Sequence, residues 1–296
     1  MSYTTYKLLK EFRQRLNEDE TTDKLSSVLK TSGYEQFVAK LGDAAEDSKV
    51  QAVLAAGTDD GNSADEKIAL NDAAVAVTDL KPTQNEIALD KSLKFPLTDP
   101  ASAAACLKGG TVAIAGKRIV TAEQKYIIDG HHRWSQLYAM NKDAKIASTD
   151  MTAKDIKNPI DFLKLTQIAI AADLGKVPTQ TAKGSINLIT ISEKELKSYV
   201  IETITDPVIE QFKKYKNIDT KESIADYIWD NVKSMQSTSV PVPGAPKRDF
   251  MPQTDDATNW QQMAAAGALN YKSPFKLGES IDLNRWKRIA NINTRK

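Results

Sequence analysis

Three consecutive apolar residues, a polar break, and apolar positions at helical spacing mark the centre of the chain. Tyr126, Ile127 and Ile128 follow charged Lys125 and read as a short buried strand. Asp129-Gly130 interrupts the run, and Trp134, Leu137, Tyr138 and Met140 resume it with a helical period. The pattern predicts strand, tight turn, helix, with His131, His132 and Arg133 in the first helical turn. Upstream, residues 73–80 are β-compatible and Pro82 ends them. Leu89, Leu93 and Phe95 predict a helix that Pro96 interrupts, and residues 101–107 continue helically to Gly109-Gly110. Residues 111–120 read as a hairpin around Gly116, and 145–151 as the strand after the motif helix. A helix between two strands of one sheet predicts a parallel crossover. The turn would then lie at the carboxyl end of a strand, where open α/β sheets bind ligands.

The flanks read as helical. Tyr6, Leu9, Phe12 and Leu16 form one stripe, Leu25, Val28 and Leu29 a second, and Tyr34, Phe37, Val38 and Leu41 a third closed by Gly42. Val50, Val53 and Leu54 extend this to Gly57, and the turn-formers of 57–65 mark a boundary. Residues 159–174 predict a strong helix stopped by Gly175, and 192–215 and 222–235 predict two more. Residues 237–248 are proline-rich, a linker or a segment lying across a surface. The expected organisation is a helical arm (1–57), an α/β (α+β) central domain (73–150), a helical region (151–236), and a linker with basic tail (237–296).

Charge adds one asymmetry. The whole chain is balanced, with 40 basic and 39 acidic residues, which excludes general nucleic-acid coating. Yet the first 78 residues carry an acidic excess and the tail 271–296 a basic one. Tyr271, Phe275 and Trp286 are interleaved with the tail's positive charges. The tail is a candidate contact for nucleic acid or an acidic protein face; folding back on the acidic arm is the alternative. The single Cys106 rules out an intrachain disulfide and fits a reducing compartment. No apolar run approaches the roughly 20 residues that span a bilayer, so no membrane partner is expected. The N-terminus lacks the basic-then-apolar design of a signal peptide.

The chemistry concentrates at the central turn. Both histidines of the chain are there. A helix start offers free N–H groups and the positive end of the dipole, and Arg133 adds a charge, so the turn suits phosphate or another oxyanion. Adjacent His131 and His132 cannot both point one way on a helix, and no HExxH or cysteine cluster marks a metal centre. Walker-A and GxSxG strings are absent too.

Asp129-Gly130-His131-His132-Arg133, after an apolar strand and before a helix, resembles the core motif of the ParB/sulfiredoxin superfamily. Leu80-Lys81-Pro82-Thr83-Gln84-Asn85-Glu86-Ile87 resembles that family's opening strand and Pro-x-x-(Glu/Gln) turn. The likeness covers about residues 73–150. It implies a sulfiredoxin-like fold and a nucleotide partner, ATP, ADP or CTP with Mg²⁺. Sulfiredoxins have a cysteine where His131 stands, which sets sulfinic acid reduction aside. CTP-switch partition proteins carry an arginine-rich motif here and a following helix-turn-helix; this chain keeps Arg133 and shows no basic recognition helix. The DGHHR form is that of the ParB-type free-serine kinases, which use an upstream glutamate as base. The resemblance therefore implies Glu86, Asp129 and His132 as catalytic residues. It gives Gly130, His131, His132 and Arg133 as phosphate ligands, with Asp129 as a candidate Mg²⁺ ligand. The expected function is a nucleotide-binding phosphotransferase or nucleotide hydrolase in the cytoplasm. The long flanks also resemble ParB-like proteins of tailed phages, which implies the alternative of a non-catalytic virion- or DNA-associated assembly protein.

Overall fold

The apolar runs of the middle of the chain assemble into one mixed six-stranded sheet in the computed structural model, which describes residues 21–50 (Thr22 and Lys49 apart), 68–153, 156–179 and 186–265. The strands are β1 (Ile68–Ala76), β2 (Lys81–Pro82), β3 (Thr111–Val112), β4 (Ile119–Ala122), β5 (Tyr126–Asp129) and β6 (Lys145–Ala153). Their order is β1-β6-β4-β5-β2, with β3 also paired to β6. β6 runs antiparallel to β1 from Ile68↔Ala153 to Ala76↔Lys145, and parallel to β4. β5 lies antiparallel to β4 and parallel to β2.

Among the described helices are α1 (Tyr34–Ala45), α2 (Leu89–Thr98), α3 (Pro100–Leu107), α4 (His131–Met140), α5 (Pro159–Leu174), α6 (Glu193–Thr203), α7 (Asp206–Lys216), α8 (Lys221–Thr238) and α9 (Trp260–Ala265), and residues 23–29 are helical as well. Strand residues alternate between faces. Ile119, Ile127 and Ile146 join a core with α2, α3, α4, α6, α7 and α8. Their neighbours Val120, Ile128 and Ala147 are buried as well, on the other face. On that face the Thr166 hydroxyl of α5 meets the Met151 sulfur at 3.6 Å. A strand covered on both sides has no polar face to show, which explains the unbroken run at 126–128.

Trp134 and Tyr138 anchor α4. Both are fully buried, with ring centroids 5.7 Å apart in an edge-to-face arrangement. The Trp134 indole N–H donates to the Val77 carbonyl at 2.8 Å, and Asn231 of α8 donates to the Ala139 carbonyl at 2.9 Å. The helices after residue 192, expected as a separate region, thus share one core with the sheet.

Several local expectations are corrected. β5 and β6 are separated by β4 and run antiparallel, so the motif helix is not a parallel crossover. The register gives the reason. Val120 pairs with both Asp129 and Thr149, so β6 begins four residues beyond the end of β5. Four strand residues span about 13 Å, and the ten residues of α4 rise about 15 Å. The helix carries the chain out to where β6 starts, and β6 then runs back.

Residues 111–120 do not form a hairpin either: β3 and β4 pair with β6 in the same direction. The bend between them holds Ala115 and Gly116 at φ 53° and 72°. The true hairpin joins β4 to β5 through Glu123-Gln124, at φ 54° and 50°. Lys125 N–H donates to Ala122 O across it at 3.0 Å. Such a turn ordinarily takes Asn or Gly. Here buried Asp150 holds it, accepting from Gln124 N–H at 2.8 Å and the Thr121 hydroxyl at 2.7 Å.

Helix breaks also move. Pro96 lies inside α2, and the break comes at Asp99, whose carboxylate caps α3 through Ser102 N–H ahead of Pro100. The 192–215 segment divides at Thr205 before Pro207. α1 runs through Gly42. Gly175, at φ 66°, follows the end of α5 as expected.

The chain falls into two compact units. Ile68–Gln167 with Pro178–Thr258 is the unit described above. The other takes Met1–Lys67, Ile168–Val177 and Asn259–Lys296. Within it Tyr34, Phe37, Val38 and Leu41 bury their stripe, and Asn259 bonds both oxygens of Asp173. The first stripe (residues 6–16), the 57–65 boundary and the tail 271–296 lie outside the described residues. No described helix is long and apolar enough to cross a membrane.

Candidate functional site

The site starts from one glycine. Gly130, between β5 and α4, has φ 93° and ψ 26°, a conformation that side chains disfavour. Space forbids a side chain as well: a Cβ would lie 2.5 Å from Ile119 Cγ2 and 3.1 Å from Arg133 Nε. The Asp129 carboxylate accepts from Gly130 N–H at 2.7 Å. α4 then begins without a side-chain cap, and its first backbone bond runs from Trp134 N–H to Gly130 O. The N–H groups of His131, His132 and Arg133 are left without intrahelical acceptors.

The two imidazoles are fasteners. Thr83 N–H donates to His131 Nε2 at 3.0 Å, and Ala88 N–H to His132 Nε2 at 3.2 Å. A ring nitrogen that accepts carries no proton, so each ring is neutral with its proton on Nδ1. Burial, reinforced by the neighbouring His132, pushes His131 down to about 3. Burial and then the charges of Arg248, Lys91 and Arg133 bring His132 down to about 3 as well. Thr83 ties the same turn to β5, donating its hydroxyl to Ile127 O.

Asp129, Gly130, His131, His132 and Arg133 line one side of a cavity of about 310 Å³. The opposite side comes from the segment after the proline-rich stretch: Arg248, Met251, Gln253, Asp255 and Asp256. Thr254 donates its hydroxyl to Asp129, and Asp255 pairs with Arg133 Nη1 at 3.1 Å and Lys117 Nζ at 3.0 Å. Burial raises the Asp129 pKa, against the pull of Thr254, Arg133 and Gly130 N–H. Burial also opposes the charge of Asp255, but Lys117 and Arg133 outweigh it and hold that pKa below the usual range. Arg133 is 17 % exposed, and its buried Nε has no hydrogen-bond partner.

The structure therefore brings five of the six expected site residues together. Glu86 stands apart: it is half-buried and does not line the cavity, where Gln84 does. Its loop is pinned elsewhere, with Asn187 bonding Asn85 O and Ile87 N–H. Sequence reasoning missed residues 248–256. Their signal was faint: Lys247-Arg248 closing a proline-rich stretch, and the acidic pair Asp255-Asp256.

Among the described residues no three carboxylate, imidazole or thiol groups converge as metal ligands. Both oxygens of Asp129 already accept hydrogen bonds. A multi-carboxylate cage for Mg²⁺ is absent among the described residues; an ion arriving with a nucleotide would take phosphate and water oxygens and leave room for one carboxylate, with Asp129 as the candidate. No protein-family model, curated protein or solved structure matches the chain.

Proposed function

We propose that the protein binds a nucleotide through its phosphates at the 129–133 turn, for phosphoryl transfer or hydrolysis. One observation carries the reading: an uncapped helix N-terminus opens onto a cavity that Arg133 and Arg248 also line. The neutral histidines pin that helix end to residues 83–88, so the N–H groups are held in place before a ligand arrives. The cavity is at the small end of the ligand-pocket range of roughly 300–1,000 Å³, suited to a polyphosphate with the base lying outside. The DGHHR order and the mixed sheet support a ParB/sulfiredoxin-like domain, with ATP, ADP or CTP and its Mg²⁺ as the ligand class.

Binding without turnover is the second reading, that of an assembly protein. Glu86 favours it, since that carboxylate is not part of the cavity wall. Calorimetry with Mg²⁺ and ATP, ADP, CTP or pyrophosphate separates these readings when paired with product analysis of labelled nucleotide. Arg133→Ala removes a charge-assisted contact of about 1.5–3 kcal/mol, so affinity should fall about tenfold or more. Equal affinity of wild type and variant would move the phosphates elsewhere.

A further inference from the structure

Lys117 Nζ and Arg133 Nη1 approach the same atom, Asp255 Oδ2, at 3.0 and 3.1 Å. The three residues come from separate parts of the fold. Lys117 follows the Ala115-Gly116 bend before β4, Arg133 lies in the first turn of α4, and Asp255 lies in the segment facing that turn. A carboxylate oxygen and a phosphate oxygen make the same kind of charge-assisted bond to guanidinium and ammonium. The position of Asp255 Oδ2 is therefore an oxyanion position at the cavity, served by two cations and filled by the chain's own carboxylate. That carboxylate is held loosely enough to exchange, because its side chain is 50 % exposed and solvent weakens such pairs.

We propose that Lys117 and Arg133 form one phosphate-oxygen subsite, that Asp255 is its resident counter-ion, and that a bound nucleotide's phosphate replaces the Asp255 carboxylate. This rests on the phosphate reading above and adds to it a ligand, Lys117, and a competitor, Asp255. Phosphate has the advantage in the exchange, since a terminal group carries about −1.5 to −2 charge at neutral pH against −1 for the carboxylate. Binding then loosens residues 254–256 from the turn they cover.

The test is calorimetric titration of the full chain with inorganic pyrophosphate at low salt. Asp255→Asn, which removes the competitor and keeps its shape, should bind about two- to fivefold tighter, the scale of an exposed ion pair. Lys117→Met should bind weaker by a similar factor, and Asp255→Glu should restore wild-type affinity. Asp256→Asn is the charge control, since Asp256 lines the same cavity without an ion pair among the described residues. Saturating pyrophosphate should also raise amide hydrogen exchange across 254–256 in the wild type. If the wild type binds and Asp255→Asn binds equally or more weakly, the exchange is refuted while the phosphate site stands. An equal gain in Asp256→Asn would likewise refute it, as a general charge effect. Absence of binding in both the wild type and Asp255→Asn would remove the phosphate reading and this inference together.

Discussion

Acidification from pH 7 to pH 5 tests both histidines at once, because the chain holds no others. Each ring accepts a backbone N–H in the folded state and is held near 3, whereas in the unfolded chain each returns to about 6.5. Below 6.5 the unfolded state therefore binds more protons. Stability from these rings is complete above that pH and is lost as pH falls towards 3. At pH 5 the solution is about 1.5 below the unfolded pKa, and each ring costs about 2 kcal/mol, roughly 4 for the pair. The figure depends little on the folded values so long as both stay well below 5. Asp129 and Asp150 work the other way, since their raised pKa values make the folded state the better proton binder. The measurement is therefore a difference. Urea denaturation of wild type and of His131→Gln/His132→Gln is compared across the range, the amide oxygens standing in as acceptors. The wild type should show the steeper loss on acidification, by up to about 1.4 kcal/mol per pH unit per histidine. Imidazole NMR gives the direct check. A ring that titrates above pH 5 would show that its Nε2 is not committed to the backbone and does not fasten the turn.

Gly130→Ala combines a φ of 93° with a Cβ 2.5 Å from Ile119 Cγ2, so it should destabilise by about 2–5 kcal/mol from backbone strain and overpacking. A loss under about 0.5 kcal/mol in urea titration would mean the turn does not have this shape. Glu86→Gln should leave nucleotide affinity and any turnover within about threefold of wild type, the carboxylate lying outside the cavity wall. A kinetic fall of about 10²–10⁴-fold would instead restore Glu86 as the base.

The strand, turn and helix at 126–140 were legible because three strong signals coincide there: a doubly buried apolar run, a glycine needed for its conformation, and a helical stripe ending in buried Trp134 and Tyr138. The β4–β5 hairpin was not legible, because its turn is Glu123-Gln124 and is held by Asp150, 26 residues beyond Gln124. Strand direction was misread for a related reason. Nothing local to residues 131–144 encodes that β6 starts four residues beyond Asp129; that offset exists only once β4 has paired both neighbours. The far wall of the cavity was hidden by distance too, since Asp255 reaches Arg133 across 122 positions. Local periodicity carries no trace of such a contact.

With both imidazoles committed to backbone N–H groups, few groups at the site remain to act on a substrate. His132 keeps its proton on Nδ1 and gives its other nitrogen to Ala88 N–H, so the ring has no free lone pair to take a proton from an incoming hydroxyl. Glu86 has the right chemistry for that task but does not line the cavity. Among the expected catalytic residues, Asp129 is the one carboxylate in the cavity wall, and burial already moves its pKa upward, towards the range a base needs. But Thr254 and Gly130 N–H occupy its two oxygens. Each oxygen keeps a second lone pair, and the Thr254 bond holds the pKa down, so releasing Thr254 would raise the affinity of Asp129 for a proton. Thr254 adjoins Asp255, whose carboxylate occupies the position between Lys117 and Arg133. A phosphate that displaces Asp255 would therefore loosen the residue that bonds Asp129, which would tie the basicity of Asp129 to arrival of the ligand. A binding protein needs the first of these events; an enzyme needs both.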